Sequence, residues 1–374
     1  MSVETDPNLS ALPDPGQGVT SLLPNGLSDL MPGEAEREAA AIEKLISTFS
    51  RFGYERVKPP LVEFEETLLS GPGTGLARQT FRLMDPVSRR MMGVRSDMTP
   101  QIGRLALGRF TKDDYPLRLT YAGDVLRVNG SQLRPERQFC QAGCELVGID
   151  STAADIEAIM LALIGLNTLD LEGASIDLNL PGLSHLILGA EAPPAIMTAV
   201  KRKDSAEAGK LTERAFSNET AVILTTIMES SGLASNVLPK LKQLKTGDDA
   251  LHQTIKRYVD VAEGMTAALA DLKLDCTVTL DPLEASKRTY HTGIGFSLYS
   301  RASRRELGRG GRYHIDSGDQ EHPVSAIGFT LFLDGIRPLL PASSKPDVKA
   351  VSAETSWADI QAQQKQGVVT IRDL

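Results

Sequence analysis

Two carboxylates stand where they can bind a small polar molecule. Glu145 ends the polar side of the strand pattern Arg137–Val147, and Asp97 stands at the mouth of a helix pattern. Side chains alternate faces along a strand, so Cys140, Ala142, Cys144 and Leu146 share one side with Gln138. Phe139, Gln141, Gly143 and Glu145 share the other. Gly143 removes the Cβ that would block a ligand between Gln141 and Glu145. The segment Tyr290–Tyr299 repeats the pattern, with His291, Gly293, Gly295 and Ser297 opposite Ile294, Phe296 and Leu298. Ser175–Leu180 does so again, with Asp177 and Asn179 opposite Ile176, Leu178 and Leu180. An antiparallel sheet with one side in water accounts for any single strand of this kind. Glycines weaken strands, however, and their recurrence on the polar face favours a ligand lying on the sheet. Glu145 and Asp97 would accept from its amino group or an imidazole N–H.

Other chemistries find no support. Cys140 and Cys144 are four residues apart, and His185, His252, His291, His314 and His322 form no pair with zinc-site spacing, so no metal site is expected. The cysteines read as packing residues. There is no GxSxG, HExxH or GxxxxGK[ST] segment. The run Gly71–Gly75 lacks the lysine of a phosphate cradle and reads as a surface loop. Arg301, Arg304, Arg305, Arg309 and Arg312 form a basic run that suits a solvated hairpin tip or partner surface better than a nucleic-acid site. A net charge of −8 argues in the same direction.

The elements that position these residues follow from periodicity. The 374 residues are 41% hydrophobic and 24% charged, enough for a sizeable core, and the longest apolar run, Ala158–Leu166, is too short for a membrane span. Residues 1–24, rich in Pro, Gly, Ser and Asp, read as a disordered extension without signal-peptide features. A helix follows Pro32-Gly33, and Tyr54–Lys58 is a short strand stopped by two prolines. Gln79–Asp85 and Arg90–Arg95 form a hairpin, and Ser96-Asp97 caps a helix to about Gly108. Strands are predicted at Leu117–Ala122, Asp124–Val128 and Arg137–Val147, a helix after Ser151-Thr152, then a strand at Ser175–Leu180. Residues 184–273 read as almost pure helix. Strands return at Cys276–Leu280, Thr289–Tyr299 and Ser325–Thr330, before a last helix at Leu331–Leu340. Strand runs interrupted by a helical block argue for an α+β fold with an antiparallel sheet. The division expected is a core of residues 25–183 and 275–340, a helical insertion at 184–274, and a short tail at 341–374. An odd count of three cysteines suits a reducing cytoplasm.

Several motifs resemble one family in combination. Gly53–Pro60 (GYERVKPP) resembles motif 1 of class II aminoacyl-tRNA synthetases, and Arg95–Thr99 (RSDMT) resembles an RPExT-type segment of histidyl-tRNA synthetase. Gly123–Arg127 followed by Arg137–Glu145 looks like motif 2, and Gly310–Tyr313 (GGRY) matches the GGRYD signature. The resemblance covers residues 24–340 and implies a class II synthetase-like antiparallel sheet flanked by helices, with a dimer through motif 1 and Tyr54–Pro60 buried. It implies a histidine site in which Asp97, Thr99 and Gln141 meet the amino group and Glu145 meets the imidazole. Tyr290, His291 and Tyr313 would line the ring, and Arg127 or a nearby arginine would approach the carboxylate.

Departures from the synthetase decide what the resemblance implies about function. Ser286 stands at the catalytic-arginine position of the RGLDYYTGI-type segment, and His291 replaces its second tyrosine. Gly335 stands where motif 3 has its ATP-clamping arginine. Adenylation develops charge on phosphate and depends on such guanidinium groups. Only 34 residues follow Leu340, too few for an anticodon-binding domain. The pattern is similar to the family of ATP phosphoribosyltransferase regulatory subunits, synthetase paralogues without catalytic residues or a cofactor. These work in a hetero-oligomer with a short catalytic subunit at the first step of histidine biosynthesis, with free histidine as effector and no tRNA. A divergent histidyl-tRNA synthetase or another adenylating ligase is the alternative.

Overall fold

The computed structural model describes residues 22–132, 134–284, 291–316, 323–341 and 348–373. The expected extension therefore lies almost wholly outside the described residues, as do Ser286, Tyr290 and His322. Helix α1 (Glu34–Ser50) starts after Gly33 and buries Ala41, Leu45, Ile46 and Phe49 along one stripe. Strand β1 (Glu55–Arg56) follows, then a small sheet of β2 (Val62–Phe64), β3 (Arg82–Met84) and β4 (Met91–Val94), ordered β2-β4-β3. Helix α2 (Glu65–Leu68) lies inside that sheet's connection. The Gly71–Gly75 run is a correction: it belongs to a 3-10 helix, Gly71–Gln79, rather than an open loop.

Helix α3 (Thr99–Arg109) begins where the Asp97 carboxylate accepts from the Thr99 N–H at 3.1 Å. Strands β5 (Leu117–Leu126) and β6 (Gln138–Val147), helix α4 (Thr152–Thr168) and strand β7 (Ala174–Asn179) come next. The Ser151 side chain caps α4 by accepting from Ala154. Five helices follow, α5 (Leu183–Leu188), α6 (Pro194–Lys201), α7 (Ser205–Ala215), α8 (Asn218–Met228) and α9 (Ala234–Gln243), with a two-residue strand β8 (Gly232–Leu233) before the last. The long helix α10 (Asp249–Asp271) then returns the chain to the sheet through β9 (Cys276–Leu280). Strands β10 (His291–Ser300), β11 (Ser303–Ile315) and β12 (Val324–Phe332) and helix α11 (Leu333–Ile336) complete this part.

The nine-stranded sheet runs β1-β5-β6-β12-β11-β10-β7-β9-β8 and is antiparallel except where β1 meets β5 and β7 meets β9. This is the α+β, synthetase-like architecture expected. Its two faces are unlike, as alternation along β6 requires. Cys140, Ala142, Cys144 and Leu146 pack beneath α1, α4 and the later helices in the main core. Burial pushes the Cys140 thiol up to about 12, as befits a packing cysteine. Leu119, Tyr121, Phe139, Tyr313 and Phe332 face the other way, with Met98, Ile102 and Ala106 over part of them.

Three details differ from expectation. The basic run is a hairpin tip only at its start: exposed Arg301 is in the β10–β11 turn, whereas Arg304, Arg305, Arg309 and Arg312 lie on β11, a central strand that spacing did not reveal. Gly293 does not share the polar face with Gly295, because a register shift between His291 and Gly295 turns it against the Arg312 side-chain stem. In the motif 1-like segment, Tyr54 and Pro59 are buried, but Glu55, Arg56, Lys58 and Pro60 are exposed in the single chain. The tail forms β13 (Val348–Val351), α12 (Trp357–Gln364) and β14 (Val369–Arg372), a parallel strand pair with one helix.

Candidate functional site

Reading across neighbouring strands gives the floor of the site. Glu145 pairs with Gly328, Gly328 with Gly311, Gly311 with Gly295, and Gly295 with Asn179. Three glycines in adjacent strands thus form a trough with Glu145 at one end and Asn179 at the other. The missing side chains are required sterically. A Cβ on Gly328 would collide with the Glu145 carboxylate, one on Gly295 with the Asn179 amide oxygen, and one on Gly311 would lie 2.9 Å from His291 Cε1. The polar side chains lie flat over the sheet because glycine leaves them room.

Glu145 is 1% exposed and accepts from the Tyr313 hydroxyl at 2.9 Å. A carboxylate so buried is costly unless hydrogen-bonded. Tyr313 pairs with His291 across β11 and β10, so these side chains enclose one space. Thr99, Glu145, His291, Tyr313, Arg309 and Thr330 line a narrow cleft over this floor.

A second group adjoins the first. Gln141 is fully buried; its amide oxygen accepts from the Met98 N–H at 3.1 Å and its Nε2 donates to Asp97 at 3.4 Å. Arg127 donates from Nε to the Ser96 carbonyl at 3.1 Å, stands 3.8 Å from Asp97, and stacks over the Phe139 ring. Thus Thr99, Glu145, His291 and Tyr313 share the cleft, while Asp97, Gln141 and Arg127 form a bonded group joined to it through Thr99. Tyr290 lies outside the described residues.

Sequence reasoning missed three participants. Tyr121 lies under the cleft, bonded to Thr330 at 2.8 Å, and its hydroxyl is held protonated first by burial and then by the charges of Glu145 and Asp97. Thr330 and Arg309 are paired across β12 and β11. The signal for Arg309 was parity, since it stands four residues before Tyr313 on the same strand face. Arg312, on the opposite face, is 3% exposed and donates to Asp155 at 2.8 Å, a carboxylate that also accepts from Arg257 at 2.8 Å. This buried network ties β11 to α4 and α10 beneath the cleft.

The side of the sheet beyond Arg127 is filled. Arg134, 8% exposed, donates to Asp334 at 2.8 Å and to the Glu306 carbonyl at 3.0 Å. Its guanidinium lies 3.9 Å from the Phe332 ring centre and 5.0 Å from that of Phe139. Gly335 sits under the same strand, where a Cβ would come 3.2 Å from the Glu306 carbonyl oxygen. No helix among the described residues is long and apolar enough to cross a membrane.

Known proteins resemble this chain in sequence and in fold. A family model described as histidyl-tRNA synthetase matches residues 26–336. An ATP phosphoribosyltransferase regulatory subunit of Paramagnetospirillum magneticum is 43% identical over 359 residues, 95% of this chain and 91% of that protein. The protein of the same name from Rhodospirillum centenum is 43% identical over 338 residues, 89% of this chain and 84% of its own. A solved structure of an ATP phosphoribosyltransferase regulatory subunit/histidyl-tRNA synthetase from Bacillus halodurans superposes with TM-score 0.78 at 22% identity, covering 95% of this chain and 94% of that one. Histidyl-tRNA synthetase from Nostoc gives 0.70 at 15% identity over 96% and 86%. These two likenesses are of fold. The chain belongs to the ATP phosphoribosyltransferase regulatory subunit family, on a histidyl-tRNA synthetase-like fold.

Proposed function

We propose that this chain is the non-catalytic regulatory subunit of an ATP phosphoribosyltransferase, activating a separate short-form catalytic subunit in the cytoplasm at the first step of histidine biosynthesis. Free histidine binds the cleft as feedback effector, with its imidazole on Glu145 between His291 and Tyr313, Tyr290 nearby, and its amino group toward Asp97, Thr99 and Gln141. The observation that carries this is the contrast within one sheet face: a glycine-floored polar cleft lies around Glu145, whereas Arg134 and Asp334 fill the space beside Gly335. An adenylating ligase needs that second space and a guanidinium at position 335. The reading needs no tRNA and includes a homodimer through α1 and β1, within a hetero-oligomer, which would cover the exposed Glu55, Arg56 and Lys58.

Co-expression with the short phosphoribosyltransferase of the same genome tests it. The two should co-purify, transferase activity should rise, and histidine should inhibit. Glu145→Ala should lower histidine affinity and feedback together, because effector binding and its output are one coupling free energy. Equal affinity in both proteins would place the effector elsewhere, and histidine-dependent ATP–pyrophosphate exchange by the chain alone would favour the ligase.

A further inference from the structure

Ser286 stands where the family has its catalytic arginine, and residues 285–290, Lys287 and Arg288 among them, lie outside the described residues. Arg127 does not face the cleft: its Nε is engaged by the Ser96 carbonyl and its guanidinium covers Phe139. Among the described residues lining the cleft, the one cationic side chain is Arg309. We infer that Arg309 is the carboxylate clamp of this site, a guanidinium supplied from β11 in place of the one missing at position 286. The inference rests on the histidine reading above and adds the group that recognises the zwitterion's negative end.

The geometry supports it in three ways. Arg309 sits in the row Gly143, Thr330, Arg309, Ser297, one step along the strands from the row of Glu145 and the glycine trough. Glu145 and Arg309 are two strands apart, about 10 Å in the hydrogen-bonding direction. The cleft thus has an acceptor at one end, a donor at the other and a glycine floor between them. Second, the guanidinium is oriented before any ligand arrives. Glu306 forms an ion pair with it, the Ser297 hydroxyl holds Glu306 at 3.2 Å, and the Phe332 ring lies 5.2 Å from the guanidinium carbon. Third, the side chain is 30% exposed, so it is partly desolvated yet reachable. An arginine has five N–H donors in a planar fork whose geometry matches a carboxylate. Thr330, beside it, offers a hydroxyl to the same carboxylate.

The chemistry predicts discrimination by the carboxylate rather than by the ring. Calorimetry on the full chain should compare L-histidine with histamine, which keeps the imidazole and the amine and lacks the carboxylate. The unmodified protein should bind histidine roughly ten- to hundredfold more tightly than histamine. Arg309→Gln should erase that ratio by weakening histidine while leaving histamine within about twofold, so histamine binding also reports an intact fold. Arg309→Lys, which keeps the charge and loses the fork, should fall between. Histidine binding to the unmodified chain with the full ratio kept in both variants overturns the clamp alone. Failure of the unmodified chain to bind histidine overturns the ligand reading and the clamp with it.

Discussion

Two regions of the same sheet face, a few residues apart, have opposite characters. Around Glu145 the strands carry glycines, and side chains with charge or hydrogen-bonding capacity line a narrow cleft. Around Arg134 the chain's own groups meet: Asp334 and the Glu306 carbonyl accept from the guanidinium, and Phe332 and Phe139 flank it. A single strand, β12, contributes to both, with Gly328 in the open region and Phe332 in the filled one. On the proposed reading, a two-substrate sheet becomes a one-ligand sheet without a change of fold, an ion pair and aromatic rings filling one half while the other keeps its glycine floor.

The filled half should be part of the core, and breaking it should give the largest effect. Asp334 is 3% exposed, and burial raises its carboxyl against the opposing pull of Arg134. Asp334→Ala leaves the Arg134 charge buried and uncompensated and should cost about 3–5 kcal/mol in denaturant unfolding. Asp334→Ala together with Arg134→Met should recover much of that loss, since apolar replacement of a buried pair is often near neutral. A double variant no more stable than the single one would show that the pair holds something besides its own charges.

How much of this was legible depended on how local the cause was. The faces of β6 followed from period two alone, and Glu145, Gln141 and Gly143 lie on the side that alternation assigned. The helical stretch from Leu183 to Asp271 was visible in its apolar spacing. Strand β11 was not, because its sequence is arginine and glycine on both faces. Arg312 occupies a core position only because Asp155, far away in sequence, receives it, and spacing within a segment carries no such information. Gly293 was assigned the wrong face because a bulge resets the alternation, and a bulge depends on the partner strand. The filled half was invisible for the same reason: Arg134 and Asp334 meet across 200 residues.

The comparison sharpens at two glycines close together in the chain. Gly328 floors the open cleft and Gly335 lies in the filled half. Gly328→Ala drives a methyl into the Glu145 carboxylate. It should cost about 1–3 kcal/mol by overpacking and displace Glu145 from its bond with Tyr313, weakening histidine binding. Gly335→Ala meets the Glu306 carbonyl at 3.2 Å, Leu307 at 3.5 Å and Arg305 Cβ at 3.8 Å, and alanine favours its short helix, so stability should change by less than about 1 kcal/mol. Parallel melts and histidine titrations decide it. Equal costs at the two sites would mean that the trough is not a special feature of the open half.

A smaller, pH-dependent effect is expected beside the far end of the trough and contrasts a carboxylate with no cation to balance it among the described residues with the paired Asp334. Burial pushes the Asp177 carboxyl up to about 6; the Thr279 hydroxyl, donating at 2.6 Å, opposes this, and the charges of Glu284 and Asp281 add to it. Because the folded-state value lies above the ordinary carboxylate value near 4, the fold prefers the protonated form. The stability Asp177 contributes is therefore full below about pH 4 and is lost as pH rises through about 6. Asp177→Asn keeps an acceptor for Thr279 and carries no charge at any pH. Relative to the unmodified chain it should gain roughly 1–2 kcal/mol between pH 4 and pH 7, after allowance for partial exposure, and the gain should level off above pH 7. Urea unfolding of both proteins at intervals across that range measures the difference, in which the titration of distant carboxylates cancels. A difference that stays flat from pH 4 to pH 7 would mean that Asp177 is charged in the fold throughout, and that the end of the trough is as well balanced as the half that Arg134 fills.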